Sequence, residues 1–164
     1  MLANRLIKAQ NKVTAKSQHG FRQERGCHTA LFSITSAIED AHRTGKALQL
    51  ISIDISSAFD TIHPPLIQQV MEKQGYPVIF QQAIHNLTDK GTATVKLEGQ
   101  KGDRFEVKTG SGQGDPLSAP RFTTGTDPLS RSLENICITI GYRLDNQRLP
   151  PSIYADDNMI PTSI

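Results

Sequence analysis

The spacing of apolar positions changes several times along the chain, and each change marks an element. Leu2, Leu6 and Ile7, interleaved with Lys and Arg, predict a short amphipathic helix. Residues 17–26 are polar and bracketed by glycine, the composition of a loop. Ala30, Leu31, Ile34, Ala37, Ile38 and Ala41 then recur at helical spacing, with Ser33, Ser36, Glu39, Asp40 and Arg43 opposite, and Gly45 supplies the stop. Residues 48–53 form a nearly continuous apolar run, which predicts a strand buried on both faces and ending at Asp54. Pro64 and Pro65 open a helix through Leu66, Ile67, Val70 and Met71, and Gly75 closes it. Pro77 opens another, with Val78, Phe80, Ala83, Ile84 and Leu87 apolar.

Residues 92–97 and 104–108 alternate around a glycine-containing polar turn, the pattern of a hairpin. Asp115-Pro116 predicts an N-cap followed by a first-position proline, opening a helix to Asn135 that Pro120, Gly125 and Pro128 should kink. Ile136, Ile138 and Ile140 alternate as a strand. A last hairpin is centred on Asp156-Asp157. This order of helix, strand, helices, hairpin, helix, strand and hairpin predicts an α+β fold, an antiparallel layer with helices on one face.

Composition narrows the class. The chain has 164 residues, 37% hydrophobic and 5% aromatic with no Trp, enough for one domain with a core. The net charge of +2 is too small to imply a polyanionic partner by itself. Its distribution is uneven: residues 1–25 hold Arg5, Lys8, Lys12, Lys16, Arg22 and Arg25 against Glu24, a local +5 that leaves −3 for the rest. A basic leading segment beside an acidic site suits a polyanion-binding enzyme, and a solvated helix face accounts for it equally. Cys27 and Cys137 give neither a metal motif nor a disulfide framework, so a reducing, intracellular setting (cytoplasm or nucleus) is expected rather than secretion. The chain shows no apolar run of membrane-spanning length and no signal-peptide pattern, and no membrane association is expected.

Three stretches carry candidate chemistry. In Ser152-Ile153-Tyr154-Ala155-Asp156-Asp157-Asn158-Met159-Ile160, two apolar runs flank adjacent acids at a turn. Like charges there are tolerated when solvated or when a hard divalent cation takes their oxygens, as Mg²⁺ does with one or two carboxylates plus phosphate oxygens. A solvated Asp-Asp turn is the plain alternative. Asp54, in Ile53-Asp54-Ile55-Ser56-Ser57-Ala58-Phe59-Asp60, ends the predicted buried strand, where a carboxylate needs a partner such as a metal ion or a helix N-terminus. Gly110-Ser111-Gly112-Gln113-Gly114-Asp115-Pro116 places three glycines before a helix start, where backbone can approach a ligand closely and amides face anions.

Taken together and in order, these stretches resemble the reverse transcriptase family. Asp54 in Ile-Asp-Ile-Ser-Ser-Ala-Phe-Asp is similar to the family's first catalytic motif, and Gly112-Gln113-Gly114-Asp115-Pro116-Leu117-Ser118 is similar to its second. Tyr154-Ala155-Asp156-Asp157 is similar to its third. Upstream, Gln18-His19-Gly20-Phe21-Arg22 is similar to the Gly-Phe-Arg motif of non-LTR retrotransposon and group II intron enzymes. The resemblance spans residues 2–160 and implies a polymerase palm, a ferredoxin-like antiparallel sheet with helices on one face, plus partial fingers. It places the fingers part at 1–46 and the palm, truncated after the Tyr-Ala-Asp-Asp hairpin, at 47–164.

The resemblance implies template-directed nucleotidyl transfer to a primer 3′-hydroxyl. Asp54, Asp156 and Asp157 would be catalytic, and Asp54, Ile55 and Asp156 would bind two Mg²⁺ ions, with Mn²⁺ as a substitute. Ile55, Phe59, Gln113, Gly114 and Tyr154 would contact substrate, Phe59 as the gate against a 2′-hydroxyl, and Arg22 and Arg25 would contact nucleic acid. RNA template, DNA primer and deoxynucleoside triphosphates are the implied partners, with no stable protein partner. Two departures stand out: Gly112 where many relatives have Arg, and Arg121 where they have an apolar residue. The chain reads as a fragment, with triphosphate-gripping basic strands expected before it and a thumb after it. A group II intron-type enzyme that also helps splice its RNA, and a catalytically dead retroelement remnant, are the competing readings.

Overall fold

A computed structural model of the chain describes residues 2–88, 91–112 and 114–163. Helix α1 (Leu2–Val13) and helix α2 (Cys27–Thr44) precede strand β1 (Gln49–Ile53). Then come α3 (Ala58–Thr61), α4 (Pro64–Lys73), α5 (Val78–Thr88), and the hairpin β2 (Thr92–Leu97) and β3 (Gln100–Glu106). The long α6 (Ser118–Ile140), a small hairpin β4 (Arg143–Leu144) and β5 (Gln147–Arg148), and the final hairpin β6 (Ser152–Tyr154) and β7 (Asp157–Thr162) complete the chain.

The fold is α+β, and its central sheet is antiparallel in the order β1-β7-β6. Register pairs Ile51 with Ile160 and Ile53 with Asn158 on one side, and Ile153 with Asn158 on the other. Ile153 and Ile160 share a face, and they pack on Leu133 and Cys137 of α6, one helical turn apart. From the alternate face, Ser152 Oγ donates to the Ala30 carbonyl of α2 at 2.5 Å, so α2 leans on the β6 edge. The main core gathers Leu6 of α1, Ile62, Ile67 and Met71 around α4, and Phe122 of α6. Two buried acids tie elements together. Asp127 accepts from Ala15 N and Gln74 Nε2, both at 2.7 Å, and from Arg131 Nε at 2.7 Å. Asp40 accepts from Tyr142 Oη at 2.9 Å, and that bond, with Lys46 and Arg43, holds its carboxyl below the usual range.

Several expectations change. Strand β1 is exposed at all five residues rather than buried on both faces, because α6 covers β6 and β7 and stops short of β1. Asp54 is therefore an exposed acid and not a buried one. The predicted strand over Ile136, Ile138 and Ile140 is the last turns of α6. Cys137, four residues after Leu133, continues the buried helical stripe, and that packing overrides the β-branched alternation. The helix begins at Ser118 rather than after Asp115. Asp115 heads a turn instead, its Oδ1 accepting from Leu117 N at 2.9 Å and its carbonyl from Ser118 N at 2.9 Å. The β2–β3 turn shrinks to Glu98 and Gly99, both with positive φ, as a two-residue hairpin of the right twist requires.

Candidate active site

The β6–β7 ladder pairs Tyr154 with Asp157, which leaves Ala155 and Asp156 as a two-residue turn. Ala155 has φ 59, a left-handed conformation that costs an L residue roughly 1–2 kcal/mol. Neighbours hold it there. Ala155 is buried against the main core, and segment 17–20 runs beside β6 as a short parallel bridge. Ile153 N donates to Ser17 O at 3.0 Å and His19 N to Ile153 O at 2.7 Å. Gly20 is required at its position: a Cβ there would stand 2.4 Å from Ala155 N. Burial, then Arg25 and Arg22, lowers the His19 pKa, and its Nδ1 lies 2.8 Å from Thr29 Oγ1.

On the neighbouring strand, Ile53 pairs with Asn158, so Asp54 leaves β1 one step further on, toward Asp157. The two acidic stretches thus emerge at the same end of adjacent strands. Ile55, half-buried, packs onto the main core. Phe59 is half-buried between two rings: it stacks on Phe122 at 4.5 Å between centroids and meets Phe21 edge-on at 5.9 Å. Phe21 and Phe59 form a shallow depression of about 360 Å³ with Gly114, Asp115, Ser118 and Ala119. Gly110 lets the glycine loop reach this point: with φ 92, its N donates to Ile62 O at 2.9 Å, and a Cβ would lie 3.2 Å from Phe59 O. Ser111 N then donates to Phe59 O at 2.8 Å. Gln113 lies outside the described residues. Tyr154 and Gly114 are exposed. Tyr154 and Asp157 border a second groove of about 240 Å³ between α2 and the sheet, with Ser52 and Met159.

Arg22 and Arg25 are half-buried and bond the loop's own backbone. Arg22 donates to the carbonyls of Ala15 at 2.8 Å, Asn11 at 3.0 Å and Gln18 at 3.3 Å, and Arg25 donates to those of Lys16 and Gln18. They pin the loop beside the hairpin. Burial, then Arg25, lowers the Arg22 pKa. Arg121, the departure noted above, is 4% exposed. Its Nη1 donates to Ser111 O at 3.3 Å, and burial lowers its pKa. Two residues that lie within the quoted motifs but were given no role also belong here: Gln18, which contacts Ala155, and Asn158, which bonds Ile53 O and Asp156 O. The signal for Asn158 was a polar residue inside the apolar run after the acids.

The fold matches that of solved telomerase structures. An apo telomerase from Candida tropicalis, truncated of its C-terminal domain, superposes with a TM-score of 0.69 at 15% identity, over 99% of this chain and 33% of that one. A telomerase from Candida albicans in complex with a fragment of telomeric RNA gives 0.67 at 12% identity, over 98% and 29%. The family model "Reverse transcriptase (RNA-dependent DNA polymerase)" matches residues 1–163, and the chain belongs to that family. It is 26% identical over 140 residues to the Pol polyprotein of the type-2 retrotransposable element R2DM of Drosophila melanogaster, covering 85% of this chain and 13% of that protein. It is likewise 26% identical over 145 residues to that of an R2 element of Popillia japonica, covering 88% and 20%. The chain is thus a small part of the length of these relatives, which lie in the expected non-LTR branch.

Domains of this family generally work with divalent metals. Among the described residues no three or more His, Cys, Asp or Glu side chains gather as a metal-holding group. The donor set fits nonetheless, because Mg²⁺ asks for one or two carboxylates and takes its remaining ligands from phosphate and water. Asp54 and Asp156 leave adjacent strands at the same end and are carboxylates of that type. Among the described residues no helix is long and apolar enough to cross a membrane.

Proposed function

We propose that the chain is the catalytic palm, with part of the fingers, of a retroelement RNA-directed DNA polymerase, dividing near residue 46. The observation that carries this is the emergence of Asp54 and Asp156-Asp157 at one end of the adjacent strands β1 and β7. Asp54, Asp156 and the Ile55 position would hold two Mg²⁺ ions, or Mn²⁺ in their place, and Asp157 would support them. When bound, such ions stabilise the attacking and leaving oxygens of an in-line phosphoryl transfer. The chain's own groups would do the rest by positioning. Phe59, its ring fixed between Phe21 and Phe122, presents bulk against a 2′-hydroxyl and so favours deoxynucleotides. Gly114 and Gln113 line the nucleotide's approach with Tyr154, and Arg22 and Arg25 lend positive charge to the surface that meets template and primer.

The test is primer extension on an RNA template with Mg²⁺, using the chain expressed with its flanking coding sequence. Extension that falls by at least ~10³-fold in Asp156→Asn supports the assignment. Phe59→Val should then raise ribonucleotide use relative to deoxyribonucleotide use. Extension indifferent to Asp54→Asn and Asp156→Asn would overturn it. From residues 1–164 alone essentially no extension is expected, since holding primer and triphosphate in line can contribute ~7–11 kcal/mol to catalysis.

A further inference from the structure

Two buried side-chain amides hold the turn that carries Asp156. Gln18 is 0% exposed, and its Oε1 accepts from Ala155 N at 3.1 Å and from Gly20 N at 2.8 Å. Its Nε2 donates to Ala155 O at 3.4 Å. Gln18 therefore engages both backbone polar groups of the one turn residue with positive φ. Asn158 is 3% exposed, and its Nδ2 donates to Asp156 O at 2.7 Å and to Ile53 O at 3.3 Å. One amide thus joins the turn to segment 17–20. The other joins the backbone of Asp156 to the residue that precedes Asp54.

Packing alone does not call for these side chains. Asn158 shares the sheet face of Ile153 and Ile160, where an apolar side chain would fill the space without polar desolvation. Gln18 meets a backbone so close that Gly20 tolerates no Cβ, and it steadies a turn conformation that alanine disfavours. We propose that Gln18 and Asn158 are positioning residues for the divalent-metal site, setting the separation and orientation of the Asp54 and Asp156 carboxylates. Neither amide touches metal or substrate; both act through the backbone of the turn and of β1. The proposal rests on the reading above that these carboxylates take the metal.

The experiment titrates the 164-residue chain with Mn²⁺ and counts bound ion by electron paramagnetic resonance, with urea unfolding on the same samples. Asp156→Asn defines the Asp156-dependent site. Gln18→Leu and Asn158→Leu remove the bonds at near-constant volume, Gln18→Glu keeps the oxygen that accepts from Ala155 N and Gly20 N while losing the donor to Ala155 O, and Ile153→Val destabilises the same hairpin without touching an amide. The proposal expects the Mn²⁺ dissociation constant to rise ~10-fold or more in the two Leu variants, with recovery toward wild type in Gln18→Glu and no rise in Ile153→Val. Should a Leu variant fail to fold, the Gln18→Glu and Ile153→Val pair decides: affinity lost equally in both makes the amides merely structural and overturns the proposal. Unchanged affinity in folded Leu variants, with the site abolished in Asp156→Asn, overturns the positioning role and leaves the metal reading standing. Absence of any Asp156-dependent site in wild type overturns the metal reading and the proposal with it.

Discussion

The two edges of the central sheet are built from similar apolar residues and treated oppositely. At the β6 edge, Ile153 is 1% exposed: α6 covers its side chain, and Ser17 and His19 occupy its backbone donor and acceptor. At the β1 edge, Leu50, Ile51 and Ile53 are 41%, 43% and 39% exposed. The candidate site spans the two, with Asp156 on the closed edge and Asp54 on the open one. One carboxylate is thus held by a finished network, whereas the other depends on β1, whose own support is its ladder with β7. An apolar strand edge of this kind invites pairing or covering by further polypeptide.

The comparison makes a paired prediction, which carries the largest expected effect. Ile153→Ala should cost about 2–5 kcal/mol, because it empties a packed site between β6 and α6. Ile51→Ala, one strand-pair away and chemically identical, should cost less than about 1 kcal/mol, since it gives up an exposed cross-strand contact with Ile160. Urea unfolding of both variants checks this. Equal losses would mean that β1 is covered in solution, and the contrast between the edges would fall.

Gly20→Ala comes next, at about 1–3 kcal/mol, since its Cβ would meet backbone rather than the end of a flexible side chain. Amide exchange read residue by residue should show Ala155 and His19 opening faster while the β1–β7 amides keep their protection. Uniform acceleration would show that the closed edge is not a separate unit.

Much of this was legible in the sequence because it depends on local rules. Helix α2 followed from the period of Ala30, Ile34 and Ala37 and from Gly45, which takes φ 69 at the helix end. The final hairpin followed from two apolar runs around two acids. What was not legible depends on partners distant in the chain. A run such as 48–53 has the same pattern whether or not a layer covers it, so its exposure could not be read. The strand expected at 136–140 is helical because Cys137 finds Ile153 and Ile160, contacts that exist once the sheet has formed. Within the site, the acids were visible by type and order. The roles of Gln18 and Asn158 were not, because a buried amide is recognised by what it bonds. Arg22 and Arg25 had the charge expected of a nucleic-acid contact, and the fold turns their donors onto loop carbonyls.

The smallest effect separates the edges by pH. His19 lies on the closed edge with its backbone N–H on Ile153 O, and burial followed by the charges of Arg25 and Arg22 depresses its pKa below the ordinary 6.5. A base whose folded-state pKa is lowered binds its proton more readily in the unfolded state, so the unfolded state gains stability as pH falls. The stabilisation from neutral His19 is therefore complete above about pH 6.5 and is lost as pH falls through the folded-state value. Protonation would place a third cation beside Arg22 and Arg25, the residues that pin segment 17–20. Amide exchange of Ile153 and Ala155 should accelerate between pH 7.5 and 5 relative to its intrinsic pH dependence, while β1–β7 amides such as Ile160 follow the intrinsic trend. His19→Gln should abolish the difference. If it leaves the acceleration of Ile153 and Ala155 intact, the pH sensitivity of the closed edge comes from another group and His19 only packs there.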